Sequence, residues 1–129
     1  MLDTGGGHID PDLHQTLSVP DPFRAISAEI CAEFGIEPDE LIDLRLLGLA
    51  RHRPGDKPEL LFRTRSSLPS SALPGRLSAA VEAFETASFE AIPGKDARST
   101  LESRSSELTS SGQAALWFYA AARDDPARC

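Results

Sequence analysis

The sequence predicts an α/β protein, because bounded helical segments alternate with short apolar runs of strand length. Pro22 to Phe34 carries the signals of a helix start and a helix end. Leu46 to Ala50 is a short apolar run ending at a turn, and Pro58 to Arg65 supplies an antiparallel partner. Ser110 to Arg123 is long and apolar enough for a packed helix. Helices and strands therefore share one chain.

The first helix is sharply bounded. Asp21 can accept bonds from the free N–H groups of the first turn, and Pro22 suits the first helical position. Gly35 can take the left-handed conformation that ends a helix. At 3.6 residues per turn, one narrow stripe is apolar and is expected to pack on a sheet or another helix. The members of this stripe are Phe23, Ile26, Ile30 and Phe34.

Glu29 and Glu33 lie together on the edge of that stripe. Like charges four residues apart on a helix repel by roughly a few tenths of a kcal/mol, and a divalent cation would reverse that sign. Mg²⁺ takes one or two carboxylates and fills its other positions with water and phosphate oxygens. Spacing alone favours the plainer alternative, in which both glutamates keep the helix soluble.

The remaining segments are assigned from turn residues and apolar runs. Pro11 and Pro20 make residues 8 to 20 a loop. Thr109 is a fair N-cap for the last helix, which is apolar nearly all round and therefore expected to be buried. The smaller elements are a turn at Pro38 to Glu40, a loop at Ser66 to Gly75 with or without one helical turn, a helix at Leu77 to Phe84, a strand at Phe89 to Ile92 and a polar connection at Pro93 to Arg104.

The length, charge and composition of the chain restrict the kinds of partner that it can bind. A chain of 129 residues holds one domain at most, and its net charge of −7 argues against nucleic acid, which requires a basic stripe. The short basic patch from Arg51 to Lys57 contains a turn and is interpreted as a solvated hairpin tip. No apolar run approaches the ~20 residues of a membrane span, and the start does not resemble a signal peptide. Cys31 and Cys129 are expected to be reduced thiols in a cytoplasmic protein.

Two segments together resemble the Nudix hydrolase signature. Gly6 to Pro11 reads Gly-Gly-His-Ile-Asp-Pro, and Ala28 to Ile36 reads Ala-Glu-Ile-Cys-Ala-Glu-Phe-Gly-Ile. The second half of the signature is R-E-U-x-E-E-x-G-U, with U apolar. Ala28 stands where the signature has arginine, and Ala32 replaces the first of its paired glutamates. The matching positions are Glu29, Ile30, Glu33, Gly35 and Ile36.

The long loop between the two segments is similar to the Nudix branch that hydrolyses UDP-glucose and UDP-galactose. Gly7 and Glu29 are 22 positions apart, which is seven more than the common pattern has. Three downstream segments also resemble that branch, and the likeness extends from Gly5 to Arg123. These segments are Leu46 to Arg51, Glu82 to Thr86 and Leu108 to Leu116.

The resemblance implies the C-terminal part of a Nudix-type α/β/α sandwich, with a small mixed sheet and helices on both sides. Residues 1–123 would form a partial Nudix domain with its box at 7–36, and residues 124–129 a tail. In this family several strands precede the Gly-Gly turn. We therefore expect a piece of a longer protein or a shortened product, with a fold that is weak or dependent on association.

The implied reaction is hydrolysis of a UDP-sugar to UMP and a sugar 1-phosphate with Mg²⁺, or Mn²⁺ in its place. The resemblance makes Glu29, Glu33 and Glu85 metal ligands, with Glu33 and Glu85 catalytic. Glu85 would complete the metal shell or orient water, although an ordinary surface glutamate is an equal alternative. The turn Gly6-Gly7-His8 would line the substrate loop, where His8 and Asp10 shape the backbone.

A second reading of the same residues is a Nudix-like module without catalysis that binds a nucleotide or a partner protein. Ala28 and Ala32 favour this alternative, because the missing carboxylate at Ala32 removes one oxygen ligand for metal. The three glutamates named above favour the enzyme. The sequence leaves both alternatives open, together with the sugar, the base and the oligomeric state.

Overall fold

A computed structural model describes residues 4–53, 55–80 and 89–125 and confirms the α/β class. Two two-stranded sheets are present in these stretches, one of β1 with β2 and one of β3 with β4. Both are antiparallel, whereas the resemblance implied a small mixed sheet. The strands are β1 (Gln15–Thr16), β2 (Val19–Pro20), β3 (Leu41–His52) and β4 (Lys57–Ser66), and the α-helices are α1 (Pro22–Phe34), α2 (Leu73–Ala79), α3 (Ala97–Arg104) and α4 (Ser110–Asp124).

Helix α1 has the predicted bounds. The Asp21 carboxylate accepts hydrogen bonds from the N–H groups of Phe23 at 2.9 Å and Arg24 at 3.3 Å. Gly35 has a φ of 65° and donates its N–H to the carbonyl of Cys31 at 3.0 Å. These are local signals, so the bounds of the helix follow from neighbouring residues alone.

The β3–β4 hairpin confirms the predicted antiparallel pair, but β3 is longer than the apolar run suggested. The leucine-rich segment begins its strand at Leu41 because β4 offers a pairing edge, which overrides helix propensity. The carbonyl of Glu40 accepts the N–H of Ser67 at 2.9 Å, which closes the base of the hairpin. Asp43 has a φ of 55° within the strand, a conformation rarely taken by residues other than glycine.

Residues 8 to 20 form the expected loop, with a very small hairpin inside it. Gln15 pairs with Pro20 and Thr16 with Val19. The two residues between the strands, Leu17 and Ser18, have φ values of 51° and 62°. Positive φ at both central positions is the geometry of a type I′ turn.

Three smaller assignments were wrong in the described stretches. Phe89 to Ile92 is not a strand, and the segment after Pro93 is not a connection but a 3₁₀ turn followed by α3. Helix α3 is polar, but it packs on α4, and its residues Ala97 and Thr100 are buried. Tertiary contact, and not an apolar stripe, therefore stabilises it. Helix α2 starts at Leu73, before the predicted start at Leu77, and the predicted end at Phe84 lies outside the described residues.

The chain divides into two compact units. One comprises Met1–Thr4, Arg45–Arg63 and Ile92–Cys129, and the other comprises Gly5–Leu44 and Thr64–Ala91. The first has Leu61, Ala97, Leu108 and Ala120 as its buried apolar residues among those described, and the second has Ala25 and Ile36.

Helix α4 begins after Thr109 as predicted, and the hydroxyl of Thr109 accepts the N–H of Gly112 at 3.0 Å. The expectation that this helix is largely buried was wrong. Only Gly112 and Ala120 are buried in it, and Trp117 is 56% exposed. None of the helices in the described stretches combines the length and the apolar character needed to cross a bilayer.

Candidate functional site

The glycine turn lies directly on the two glutamates of α1. The N–H of Gly6 donates to Oε1 of Glu33 at 3.4 Å, across 27 positions of sequence. Glu33 is only 8% exposed, whereas Glu29 is half-buried. The structure therefore brings together the two predicted metal ligands and the predicted substrate loop, all within the unit Gly5–Leu44 and Thr64–Ala91.

The close approach depends on glycine at two positions. A Cβ at Gly7 would fall 2.5 Å from Oε2 of Glu29, and a Cβ at Gly5 would fall 2.9 Å from Cζ of Phe34 and overlap the Glu33 carboxylate. A Cβ at Gly6 would meet nothing within 4 Å. Gly5 and Gly7 thus face the helix, and the intervening residue contributes its N–H.

The covered face of α1 differs from the predicted one. Ala25 is buried, and it shares a face with Glu29 and Glu33 at the i, i+4 spacing. Phe23, which leads the predicted apolar stripe, is 42% exposed, and the other members of that stripe are half-buried. The glycine turn covers the face of the helix that carries Glu29 and Glu33. This face is therefore more buried than the predicted apolar stripe.

The loop after the glycine turn is organised by its own side chains. Asp10 accepts the N–H groups of Asp12 at 2.8 Å and Leu13 at 3.3 Å through Oδ1. Nδ1 of His14 accepts the N–H of Asp10 at 2.9 Å. Asp10 shapes the loop as expected, whereas His8 is exposed. His14 was not recognised from sequence, because a ring nitrogen bonded to backbone leaves no motif.

An ion pair stabilises the C-terminal end of α1. Arg76 donates through Nη2 to Oε1 of Glu40 at 2.7 Å and through Nη1 to Oε2 at 3.0 Å. Nη1 also donates to the carbonyl of Gly35 at 3.1 Å. The N–H of Glu37 and then the Arg76 guanidinium hold the pKa of Glu40 below its ordinary value. Sequence reasoning missed this pair because its members are 36 positions apart.

Cys31 lies on α1 in a shallow hollow, beside Phe23 and Arg24. It is a free thiol, and burial raises its pKa, with the charges of Glu37 and Glu40 adding to the effect. A raised pKa keeps the group protonated and therefore a weak nucleophile. The arrangement does not support covalent cysteine chemistry at this helix.

The donor set of the site consists of two carboxylates. No group of three or more His, Cys, Asp or Glu side chains arranged for a metal occurs within residues 4–53, 55–80 and 89–125. Glu85 lies outside those residues, together with the segment Glu82 to Thr86. Two hard oxygen ligands suit Mg²⁺, which keeps water and phosphate oxygens in its other positions. Glu29 and Glu33 therefore fit this ion chemically.

Comparison with protein-family models and with curated proteins gives no match for this chain.

Proposed function

We propose that this protein is a Nudix-type hydrolase that uses Mg²⁺, or Mn²⁺, to cleave the diphosphate of a nucleoside diphosphate linked to another group. A UDP-sugar, cleaved to UMP and a sugar 1-phosphate, is the favoured substrate. The observation that carries the proposal is the Gly5–Gly7 turn folded onto Glu29 and Glu33. A cytoplasmic location belongs to the same proposal and agrees with the free thiol of Cys31.

Each residue of the proposed site has a separate role. Glu29 and Glu33 would hold the ion, which when bound offsets negative charge on the diphosphate. The N–H of Gly6 orients the Glu33 carboxylate, and the open space beside Gly6, where a Cβ would meet nothing within 4 Å, would let phosphate oxygens approach the backbone. Glu85 would add a further carboxylate to the metal shell or orient the attacking water. His8 stands at the exposed end of the turn, where it can contact substrate.

One feature favours a second function, a module that binds a nucleotide or a partner protein without catalysis. Ala32 supplies no carboxylate beside Glu33, and the described residues contribute only two acidic ligands to the site. Two ligands can hold one ion with its water, but they hold a second ion poorly. Under this second function, the site would bind a nucleotide or a partner protein without turnover.

The decisive experiment measures UMP release from UDP-glucose with Mg²⁺ in the wild type, Glu29→Gln and Glu33→Gln. Each variant keeps the size of the side chain and removes its charge, so we expect a loss of at least about a hundredfold in kcat/KM. Glu102→Gln is the matched control, because Glu102 is an exposed glutamate on α3 outside the site. Equal rates in wild type and Glu29→Gln would falsify the catalytic assignment.

Calorimetric titration with UDP separates the two candidate functions. Mg²⁺-dependent binding that Glu33→Gln abolishes, without any turnover in the wild type, would establish the binding module. Turnover that both glutamate variants abolish would establish the enzyme. Neither binding of UDP nor turnover in the folded wild type would reject the hydrolase and the nucleotide-binding form of the module.

A further inference from the structure

A cavity lies in the unit that contains Arg45–Arg63 and Ile92–Cys129, and it shares no residue with the Glu29–Glu33 site. Its volume is about 530 Å³, within the range of pockets for small molecules. Strands β3 and β4 contribute guanidinium groups, and α4 contributes an aromatic and alanine wall. The principal lining residues are Arg45, Arg63, Trp117, Phe118, Ala121 and Ala122.

The aromatic wall has a defined geometry. The rings of Trp117 and Phe118 meet edge to face, with centroids 5.0 Å apart and planes at 87°. Phe118 rests on the backbone of β3 at Gly48, where a Cβ would fall 2.8 Å from Cζ of the ring. Packing on Gly48 therefore holds Phe118 in place, while more than half of Trp117 remains exposed at the cavity. A large exposed indole beside a cavity is a surface on which a flat ring can stack.

The charge of the cavity is opposite to that of the chain. Arg45 and Arg63 line it with Asp125 as the acidic member, which leaves a positive balance in a protein of net charge −7. A guanidinium presents five N–H donors in a planar fork that matches a carboxylate or a phosphate. One guanidinium can therefore donate hydrogen bonds to a ligand anion and to an acceptor of the protein at the same time.

We propose that this cavity binds a small aromatic anion, a flat ring that bears a phosphate or a carboxylate. The ring stacks on Trp117, and the anionic group is bound by Arg45 and Arg63. Nucleotides and aromatic acids share this chemistry. The site is independent of the proposed hydrolase function, because it uses none of the same residues.

Trp117 is the single tryptophan of the chain and reports directly on the cavity. Titration with phenyl phosphate is expected to quench its fluorescence with saturation at millimolar concentration or below. Inorganic phosphate and benzyl alcohol each supply one half of the recognised group, so each should bind about tenfold more weakly or worse. Benzoate and UMP then identify the source of the anion, since the tighter of the two distinguishes an aromatic acid from a nucleotide.

Arg45→Gln and Arg63→Gln test the anion contacts. Loss of a charge-assisted hydrogen bond should weaken phenyl phosphate binding about tenfold in each variant. Arg98→Gln is the matched control, because Arg98 belongs to the same unit but pairs with Asp124 outside the cavity lining. Circular dichroism verifies that each variant is folded.

The comparison of ligands on the wild type keeps the proposal testable if an arginine variant does not fold. Equal affinity for phenyl phosphate and benzyl alcohol would overturn the proposal, because the cavity would then recognise only apolar rings. Unsaturable quenching, or affinity that both folded arginine variants retain, would overturn it as well.

Discussion

At the residue scale, the buried carboxylate of Glu33 is the feature that most needs explanation. A carboxylate that is 8% exposed loses hydration, and burial of charge is tolerated when hydrogen-bond donors or a cation replace the water. Gly6 supplies one such donor from the opposite end of the loop. Under the proposed function, a bound divalent ion would offset this loss of hydration further.

Substitution of Gly7 tests whether the turn must lie on the helix. Gly7→Ala places a Cβ against the Glu29 carboxylate, so the turn has to move, and we expect a loss of about 1 kcal/mol in unfolding free energy. Urea denaturation measures the change. Gly6→Ala is the control and should be neutral, because a Cβ there meets nothing within 4 Å. Equal effects of the two substitutions would mean that the close approach of Gly7 has no role in stability.

The sequence predicted which glutamates share a helix face but not which of them is buried. Glu29 and Glu33 were paired by the helical period, which is a local property. The burial of Glu33 depends on a turn 27 positions away, and periodicity contains no information about such a partner. The role of Glu85 stays a prediction.

At the element scale, elements stabilised by residues close in sequence were predicted correctly, and elements stabilised by distant residues were not. Helix α1 and the start of α4 were predicted because their caps are neighbours in sequence. Helix α3 was missed because its residues are polar and its stability comes from packing on α4. The strand at Leu41 was underestimated because leucine favours helix locally and only pairing with β4 reverses that preference.

The turn between β1 and β2 offers a stabilising substitution. Leu17 and Ser18 occupy left-handed conformations that cost roughly 1–2 kcal/mol for an ordinary residue, and Leu17 is 95% exposed. The double variant Leu17→Asn, Ser18→Gly matches the preference of a type I′ turn and should raise stability by about 1 kcal/mol. Thermal and urea unfolding measure the gain. A lower midpoint would show that the loop does not use this turn in solution.

The Arg76–Glu40 pair predicts a dependence of stability on pH. The pKa of Glu40 is lowered in the folded chain, first by the N–H of Glu37 and then by Arg76. The unfolded state therefore takes up a proton before the folded state does. The stabilisation is present above the ordinary glutamate pKa of 4.5 and disappears as pH falls through the lowered value.

Arg76→Gln removes one of the two interactions that lower the pKa of Glu40. The variant should therefore lose a few degrees in Tm at neutral pH and less at acid pH. Thermal scans across this pH range measure the difference. Arg51→Gln is the control, since Arg51 forms an exposed pair with Asp56 at the hairpin tip and should change Tm little at any pH. A Tm difference for Arg76→Gln that stays constant down to strongly acid pH would contradict the assignment to Glu40.

At the scale of the whole molecule, the distribution of apolar residues indicates a small core. Alanine makes up half of the buried apolar positions in the described stretches, and no large side chain there is fully enclosed. Large apolar side chains are exposed instead, including Leu13, Leu17, Val19, Leu49 and Trp117. Apolar content of 40% did not reveal this, because composition counts residues without placing them.

The prediction that follows is marginal stability with accessible apolar surface. The described residues bury little apolar surface. The hydrophobic contribution to the free energy of unfolding is therefore small compared with the conformational entropy that the chain loses on folding. We expect a Tm below about 50 °C, enhanced fluorescence of an apolar dye under native conditions, and a Tm that rises with protein concentration if copies associate through the exposed leucines. Calorimetry at several concentrations, with sedimentation to assign the mass, tests all three. A monomer that unfolds cooperatively well above that temperature and binds no dye would contradict the interpretation, because such stability requires more enclosed apolar surface than the described residues provide.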